Sequence, residues 1–330
     1  MTNTFKAFVV EEQDDKVTHQ YKDMTIDDLP EGEVLIKVKY SGINYKDALA
    51  TVKDSKIVKS YPMVPGIDLA GVVEHSDTHA FDEGDEVIVT GYDLGTSHFG
   101  GFSEYARVKE EWVVPLPKDL TFEEAMIYGT AGFTAGLAIE KLEHNGLSVE
   151  KADVLVRGAS GGVGTLAVMM LDTIGFDVVA STGKADSEEQ LKALGAKEVI
   201  SRFTEVDERA LGKRTWQGVI DPVGGESLSQ IVKQLDYNGI VALIGMTAGT
   251  QFESSVFPFI LRGASIIGID SVYSEMKQRK QIWRRLAKDL KPDGLHDIKH
   301  VVKFNDIESS INQVLEHTNS GRFVIDFEAK

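Results

Sequence analysis

Cysteine is missing from all 330 residues of the chain. Its absence excludes disulfides, thiolate nucleophiles and every cysteine-ligated zinc or iron–sulfur centre. Positive charge is scarce: 35 Lys and Arg face 52 Asp and Glu, a formal net charge of −17. Phosphate backbones need a basic surface, so a nucleic-acid partner is not expected. No apolar run approaches the roughly 20 residues of a membrane helix, and residues 1–7 lack the apolar core of a signal peptide. Both features point to a cytoplasmic protein with no membrane partner. Eight histidines are present, but none has the paired helical spacing of a metal motif. His75 and His79 come nearest, in a polar stretch that reads as a turn between strands. The composition therefore suggests a metal-free protein.

What is present suits two domains. Strand-forming runs at 6–10, 33–40, 69–73 and 85–89 are separated by Pro, Gly, Asp and Asn clusters, so the first 110 residues read as an irregular β-rich domain. Thr121-Phe122-Glu123-Glu124 then carries a helix-start signal. From about 125 to 265, short apolar strands (153–157, 177–181, 197–200, 217–220, 239–244 and 264–269) alternate with helical stretches such as 187–194 and 225–235. Repeated βα units predict a doubly wound parallel sheet. After an amphipathic helix at 274–290, the tail returns to strand, helix and strand at 298–304, 307–317 and 322–327. Those last strands have no place in the parallel sheet. The expected division is therefore 1–124 with 270–330 as the β-rich domain, and 125–269 as an inserted α/β domain.

The richest segment is Asp153-Val154-Leu155-Val156-Arg157-Gly158-Ala159-Ser160-Gly161-Gly162-Val163-Gly164. An apolar strand runs through a glycine-rich turn into a helix, the order that sets backbone N–H groups against a dinucleotide's pyrophosphate. Gly161 would admit the phosphates and Gly164 the close packing of helix on strand, with Ala159 in the first glycine's place. The next strand ends in Ser181-Thr182-Gly183-Lys184, without the acid that usually holds the ribose of NAD. Hydroxyls and cations suit a 2′-phosphate, and Arg202 follows the third strand at the same edge. The set favours NADPH. Asp186 lies two residues beyond Lys184, where a shifted loop would bring it to the ribose.

Several segments then form a series. They are Ser41-Gly42-Ile43-Asn44-Tyr45-Lys46-Asp47, Pro65-Gly66-Ile67-Asp68-Leu69-Ala70-Gly71, Gly84-Asp85-Glu86-Val87-Ile88-Val89, Gly100-Gly101-Phe102-Ser103-Glu104-Tyr105-Ala106, Gly129-Thr130-Ala131-Gly132-Phe133-Thr134-Ala135 and Arg262-Gly263-Ala264-Ser265-Ile266-Ile267-Gly268-Ile269-Asp270-Ser271. With the glycine turn they resemble, over the full length, the zinc-free branch of the medium-chain dehydrogenase/reductase superfamily. The likeness is strongest to its YhdH/YhfP-type group of acryloyl-CoA reductases and proteins called quinone oxidoreductases. The resemblance implies a Rossmann domain beside a GroES-like catalytic domain. The cysteines and the Gly-His-Glu turn of zinc-dependent relatives are missing from the matching segments.

Position by position, the resemblance implies that Tyr45 lies against the nicotinamide end of NADPH. It places Ser160, Gly161, Gly162 and Val163 at the pyrophosphate, and Ser181, Thr182, Gly183, Lys184 and Arg202 at the 2′-phosphate. Met246, Ile260, Ser271 and Asn319 fall where the family makes further cofactor contacts. Thr134 is expected near the carboxamide, or else as a helix cap. Asn44, Tyr45 and Asp68 are the expected catalytic residues: Asn44 and Tyr45 as hydrogen-bond or proton donors, Asp68 orienting Asn44 or a water, or capping a turn.

Lys46, Lys53, Lys56 and Lys59 interleave with Asp47 and Asp54, either as a solvated face or as a basic loop for coenzyme A. Three functions stay open. They are an NADPH-dependent reductase of acryloyl-CoA or a similar short enoyl-CoA, a quinone reductase, and a non-catalytic NADPH-binding redox sensor. The apolar stretch 264–269 reads as a sheet-edge strand whose pairing with a second copy would give a homodimer.

Overall fold

The computed structural model describes residues 4–150, 153–204 and 207–329. The chain divides into two compact units: one of residues 1–130, 272–283 and 295–330, the other of 131–271 and 284–294.

In chain order, the first unit begins with β1 (Thr4–Gln13), β2 (Lys16–Thr25), β3 (Val34–Ile43), α1 (Tyr45–Leu49), β4 (Asp68–Ser76), β5 (Glu86–Thr90), β6 (Tyr105–Val108) and β7 (Val113–Pro115). Next comes α2 (Phe122–His144), which opens on reciprocal bonds between Thr121 and Glu124 and is kinked at Gly129, where φ is 49°. The second unit carries β8 (Val154–Arg157), α3 (Gly162–Thr173), β9 (Val178–Thr182), α4 (Glu188–Ala193), β10 (Ala196–Ser201), β11 (Trp216–Asp221), α5 (Leu228–Lys233), β12 (Leu235–Leu243), α6 (Phe257–Arg262) and β13 (Ser265–Gly268). The chain closes with α7 (Met276–Leu286), β14 (Lys299–Lys303), α8 (Ile307–Leu315) and β15 (Arg322–Asp326).

In the first unit, β1 and β2 form a hairpin and the remaining strands a seven-stranded sheet, β14-β15-β3-β4-β5-β7, with β6 paired to β3. The tail strand β15 runs antiparallel to β3, Phe323 opposite Ile43. Val34, Ile36 and Val38 alternate inward along β3 and pack with Leu69, Val87, Val89 and Trp112. A second cluster joins Phe5, Phe8 and Val10 of β1 to Ala48 of α1 and to Ile311 and Val314 of α8. His75 lies within β4, opposite Leu35, and its ring meets Asp77 and Glu83. The expected turn is thus the end of a strand, lengthened by its pairing with β3.

The second unit is a six-stranded parallel sheet, β10-β9-β8-β11-β12-β13. Counted from β8, the order is 3-2-1-4-5-6, the doubly wound arrangement whose ligand crevice lies between strands 1 and 4. β8 and β11 are buried along their whole length, as strands covered on both faces are, and in β8 this shows as the apolar run Val154-Leu155-Val156. Leu155, Val219, Ile231 and Val241 form this unit's core. Among the described residues, no helix is long and apolar enough to cross a membrane.

Candidate active site and dinucleotide site

In the first unit, the ends of β3 and β4 and the kink of α2 meet around one buried carboxylate. Asp68 opens β4 with no exposed surface. Its Oδ2 accepts hydrogen bonds from Asn44 Nδ2 at 2.7 Å and from the Thr130 amide at 2.9 Å, and its Oδ1 accepts from Thr130 Oγ1 at 2.5 Å. The kink makes this possible. A Cβ on Gly129 would lie 2.3 Å from Asp68 Oδ2, so the helix can present the Thr130 amide only because residue 129 has no side chain.

Asn44 is the hub. Its Nδ2 also donates to Asp47 Oδ2 at 3.2 Å, and its Oδ1 accepts from Arg322 Nη2 at 3.1 Å. Both ends of the amide are therefore committed within the protein. Asp47 is buried as well and accepts from the amides of Asn44, Gly66 and Ile67 at 2.8, 3.1 and 2.8 Å. Burial and the charge of Asp68 push its carboxyl up to about 7. Asp68 is likewise raised by burial, against the hydrogen bonds from Thr130 and the charge of Arg322, which act to lower it. Arg322 lies buried at the start of β15, donating to the Ile127 carbonyl at 3.0 Å, and burial lowers its pKa. Two buried acids and one buried base thus fix the turn from which α1 starts.

Tyr45 follows Asn44 as the first residue of α1 and remains 44% exposed, its ring stacked on that of His317 at 5.4 Å. Asn319, half-buried, lies in the same loop after α8. The structure therefore brings Asn44, Tyr45 and Asp68 together. Asp68 bonds both the Asn44 amide and Thr130 at the kink of α2. Thr130, Asp47, Arg322 and His317 were given no role from sequence. For the first two, the signal available was their place inside quoted segments; for the others there was none.

In the second unit, Gly158 has φ 56° and the Gly161 amide donates to the Gly158 carbonyl at 2.9 Å. A Cβ on Gly164 would fall 2.3 Å from that carbonyl, so α3 can start this close to β8 only with glycine there. Ser160 to Val163 stay exposed or half-buried at the helix start. Ser160 Oγ bonds Thr182 Oγ1 at 2.9 Å, and the Lys184 amide donates to Thr182 Oγ1 at 3.1 Å.

Arg202 lies across Gly183: a Cβ there would be 1.9 Å from Arg202 Nε. Ser181, Thr182, Gly183, Lys184 and Arg202 thus gather at the ends of β9 and β10. Asp186 is exposed in the turn beyond. At the crevice of the sheet, Arg157 donates to Asp221 Oδ2 at 2.6 Å and to Ser227 Oγ at 2.5 Å, fixing the loop after β11. Thr134 is buried inside α2, past the kink, which removes the capping role. Met246 is exposed after β12, Ile260 is 73% exposed on α6, and Ser271 is half-buried after β13.

The lysine cluster is partly neutralised: Lys53 pairs with Asp15 at 2.5 Å and Lys59 with Asp93 at 3.4 Å.

A GroES-like sheet and a 3-2-1-4-5-6 nucleotide-type sheet in one chain define a dehydrogenase/reductase of the medium-chain class. Family models agree: "Alcohol dehydrogenase GroES-like domain" matches residues 30–118 and "Zinc-binding dehydrogenase" matches residues 162–288. YhfP of Bacillus subtilis is 49% identical over 98% of this chain and 99% of its own. The crystal structure of that protein with NAD bound superposes with a TM-score of 0.97, covering 99% of this chain and all of the other. The acrylyl-CoA reductase AcuI of Ruegeria pomeroyi is 40% identical over 98% of this chain and 100% of its own. YhdH oxidoreductase of Salmonella enterica, solved with NADP, is 38% identical with a TM-score of 0.95, over 98% of this chain and 100% of that one. The chain belongs to the medium-chain dehydrogenase/reductase superfamily, in its YhdH/YhfP-type group.

Proposed function

We propose that this protein is an NADPH-dependent oxidoreductase that reduces the activated C=C bond of a short enoyl-CoA such as acryloyl-CoA. The observation that carries the cofactor is Arg202 lying across Gly183, the residue that follows Ser181 and Thr182 at the end of β9. These groups fit a phosphate on the ribose, and a guanidinium is suited to bind it in two-pronged fashion. Ser160, Gly161, Gly162 and Val163 would take the pyrophosphate at the start of α3. Lys184, Thr134, Met246, Ile260, Ser271 and Asn319 are assigned as further cofactor contacts on family likeness. The acceptor rests on the full-length likeness to AcuI.

Bound NADPH supplies the hydride. In the reduction of acryloyl-CoA the hydride adds to the β-carbon, the alkene electron pair moves toward the thioester, and a proton completes the α-carbon. Residues that hold a hydrogen-bond donor or proton in place where that charge grows lower the barrier most. Tyr45 is the exposed donor of the first unit's site and is assigned that proton. Asn44 and Asp68 act through it: their bonds are spent inside the protein, so they are positioning residues. Tyr45→Phe should lower turnover with little change in NADPH affinity; unchanged turnover would remove Tyr45 from this role.

A second reading, reduction of quinones, is favoured by YhfP, which is provisionally named a quinone oxidoreductase. Anaerobic NADPH oxidation with acryloyl-CoA, crotonyl-CoA and benzoquinone side by side separates the two readings. Turnover of the thioesters supports the first, and turnover of benzoquinone alone the second. Tight NADPH binding with no acceptor turned over would indicate a redox sensor.

Pairing of β13, the last strand of its sheet, with a second copy would give a homodimer. The exposed Val256, Phe257, Ile260 and Leu261 of and beside α6 favour it. Light scattering tests that state.

A further inference from the structure

We propose that His317 is a positioning residue that holds the ring of Tyr45 for the cofactor; this rests on the reading that Tyr45 serves the nicotinamide end. The two rings lie 5.4 Å apart at an interplanar angle of 25°. They are joined by packed helices, since Ala48 of α1 and Ile311 and Val314 of α8 share one buried cluster. The backbone of Tyr45 is anchored by the Asn44 network, whereas its side chain is 44% exposed. An exposed ring of this kind samples other rotamers unless a neighbour restrains it, and the face of His317 does so.

The backbone of His317 is the second observation. Its φ is +56°, in the left-handed region just past α8, where glycine is the usual residue. Four residues on, the same loop does use glycine: Gly321 has φ 63°, and a Cβ there would meet the Ile298 carbonyl at 2.1 Å. At 317 the chain instead carries a side chain in a conformation that strains it. Left-handed strain and an aromatic stack are of similar size and opposite sign. Folding stability therefore gains little from His317, and what the ring contributes is the orientation of Tyr45.

The experiment compares His317→Gly, His317→Phe and Tyr45→Ala with the unaltered full-length protein. Three quantities are read: the Tyr45 ring resonances without cofactor, the NADPH dissociation constant by fluorescence titration, and kcat with the acceptor. His317→Gly should melt near the parent temperature while the Tyr45 ring signals move toward those of a free tyrosine. NADPH binding should weaken about 2- to 10-fold, the cost of ordering one loosened side chain. His317→Phe, which restores a stacking ring, should return the constant to within about twofold of the parent. Unchanged ring signals and affinity in His317→Gly, with Tyr45→Ala impaired, would overturn the role of His317 alone. An unimpaired Tyr45→Ala would overturn the assignment of Tyr45, and this inference with it.

Discussion

Gly129 and Asp68 approach so closely that a Cβ on the glycine would sit 2.3 Å from the carboxylate oxygen, and that oxygen takes the amide hydrogen of the next residue, Thr130. Gly129→Ala should therefore combine left-handed strain with a clash against a buried charge, a loss of about 3 kcal/mol or more. Gly84→Ala is the control. Its φ is +94° but nothing lies within 4 Å of the added Cβ, so it should cost only about 1–2 kcal/mol. Chemical denaturation of both variants measures the difference.

Asn44 links Asp68, Asp47 and Arg322. Asn44→Ala leaves buried charged groups short of partners and should destabilise the protein by about 2–4 kcal/mol. It should also lower kcat, because Tyr45 starts from this turn. A variant as stable as the parent would show that the network carries no such weight.

Asp47 gives the pH dependence its sign. Its carboxyl is raised to about 7 by burial and by Asp68, whereas an unfolded Asp titrates near about 4. Between those values the folded state holds a proton that the unfolded state has lost. Stability from this group is therefore full below about pH 4 and declines as pH rises to about 7. In Asp47→Asn that component is removed. The unfolding free energy of the parent minus that of the variant should fall between about pH 4 and 7 and level off above; a flat difference would contradict the shift.

The second unit's fold was the more legible part of the sequence. Its central strands β8 and β9, buried on both faces, read as apolar runs, and all six strands appear in order within a few residues. β2 was missed because Lys16-Val17-Thr18-His19-Gln20-Tyr21 contains no apolar run and its residues are half-buried or exposed. The signal lay in Asp14-Asp15, both with positive φ, the two-residue turn of a twisted hairpin. Asn44 and Asp68 could be read from their segments. Arg322 could not, because its contact with Asn44 joins positions 278 residues apart and depends on β15 pairing with β3.

Arg202 tests the cofactor preference. Arg202→Ala should weaken NADPH binding about 10- to 100-fold, the loss of a charge-assisted contact to phosphate, while leaving NADH binding nearly unchanged. Equal loss for both cofactors would mean that Arg202 supports the fold of the β9 turn and does not bind phosphate.

Lys53, Lys56 and Lys59 offer a test of the acceptor. With two of the three already paired to Asp15 and Asp93, neutralising all three should raise the KM for acryloyl-CoA only a few-fold, about what weak surface charges supply. A small quinone should be unaffected. A uniform change for both acceptors would remove coenzyme A from this loop.

Hydride transfer from NADPH to the β-carbon of a short enoyl-CoA leaves an isotopic mark on the product. Incubation of the protein with acryloyl-CoA and NADPH deuterated at the transferring position of C4, followed by mass spectrometry of the product, tests it most directly. Propionyl-CoA carrying one deuterium at the β-carbon is the expected product. Acryloyl-CoA recovered unreduced, while benzoquinone is reduced under the same conditions, would contradict it.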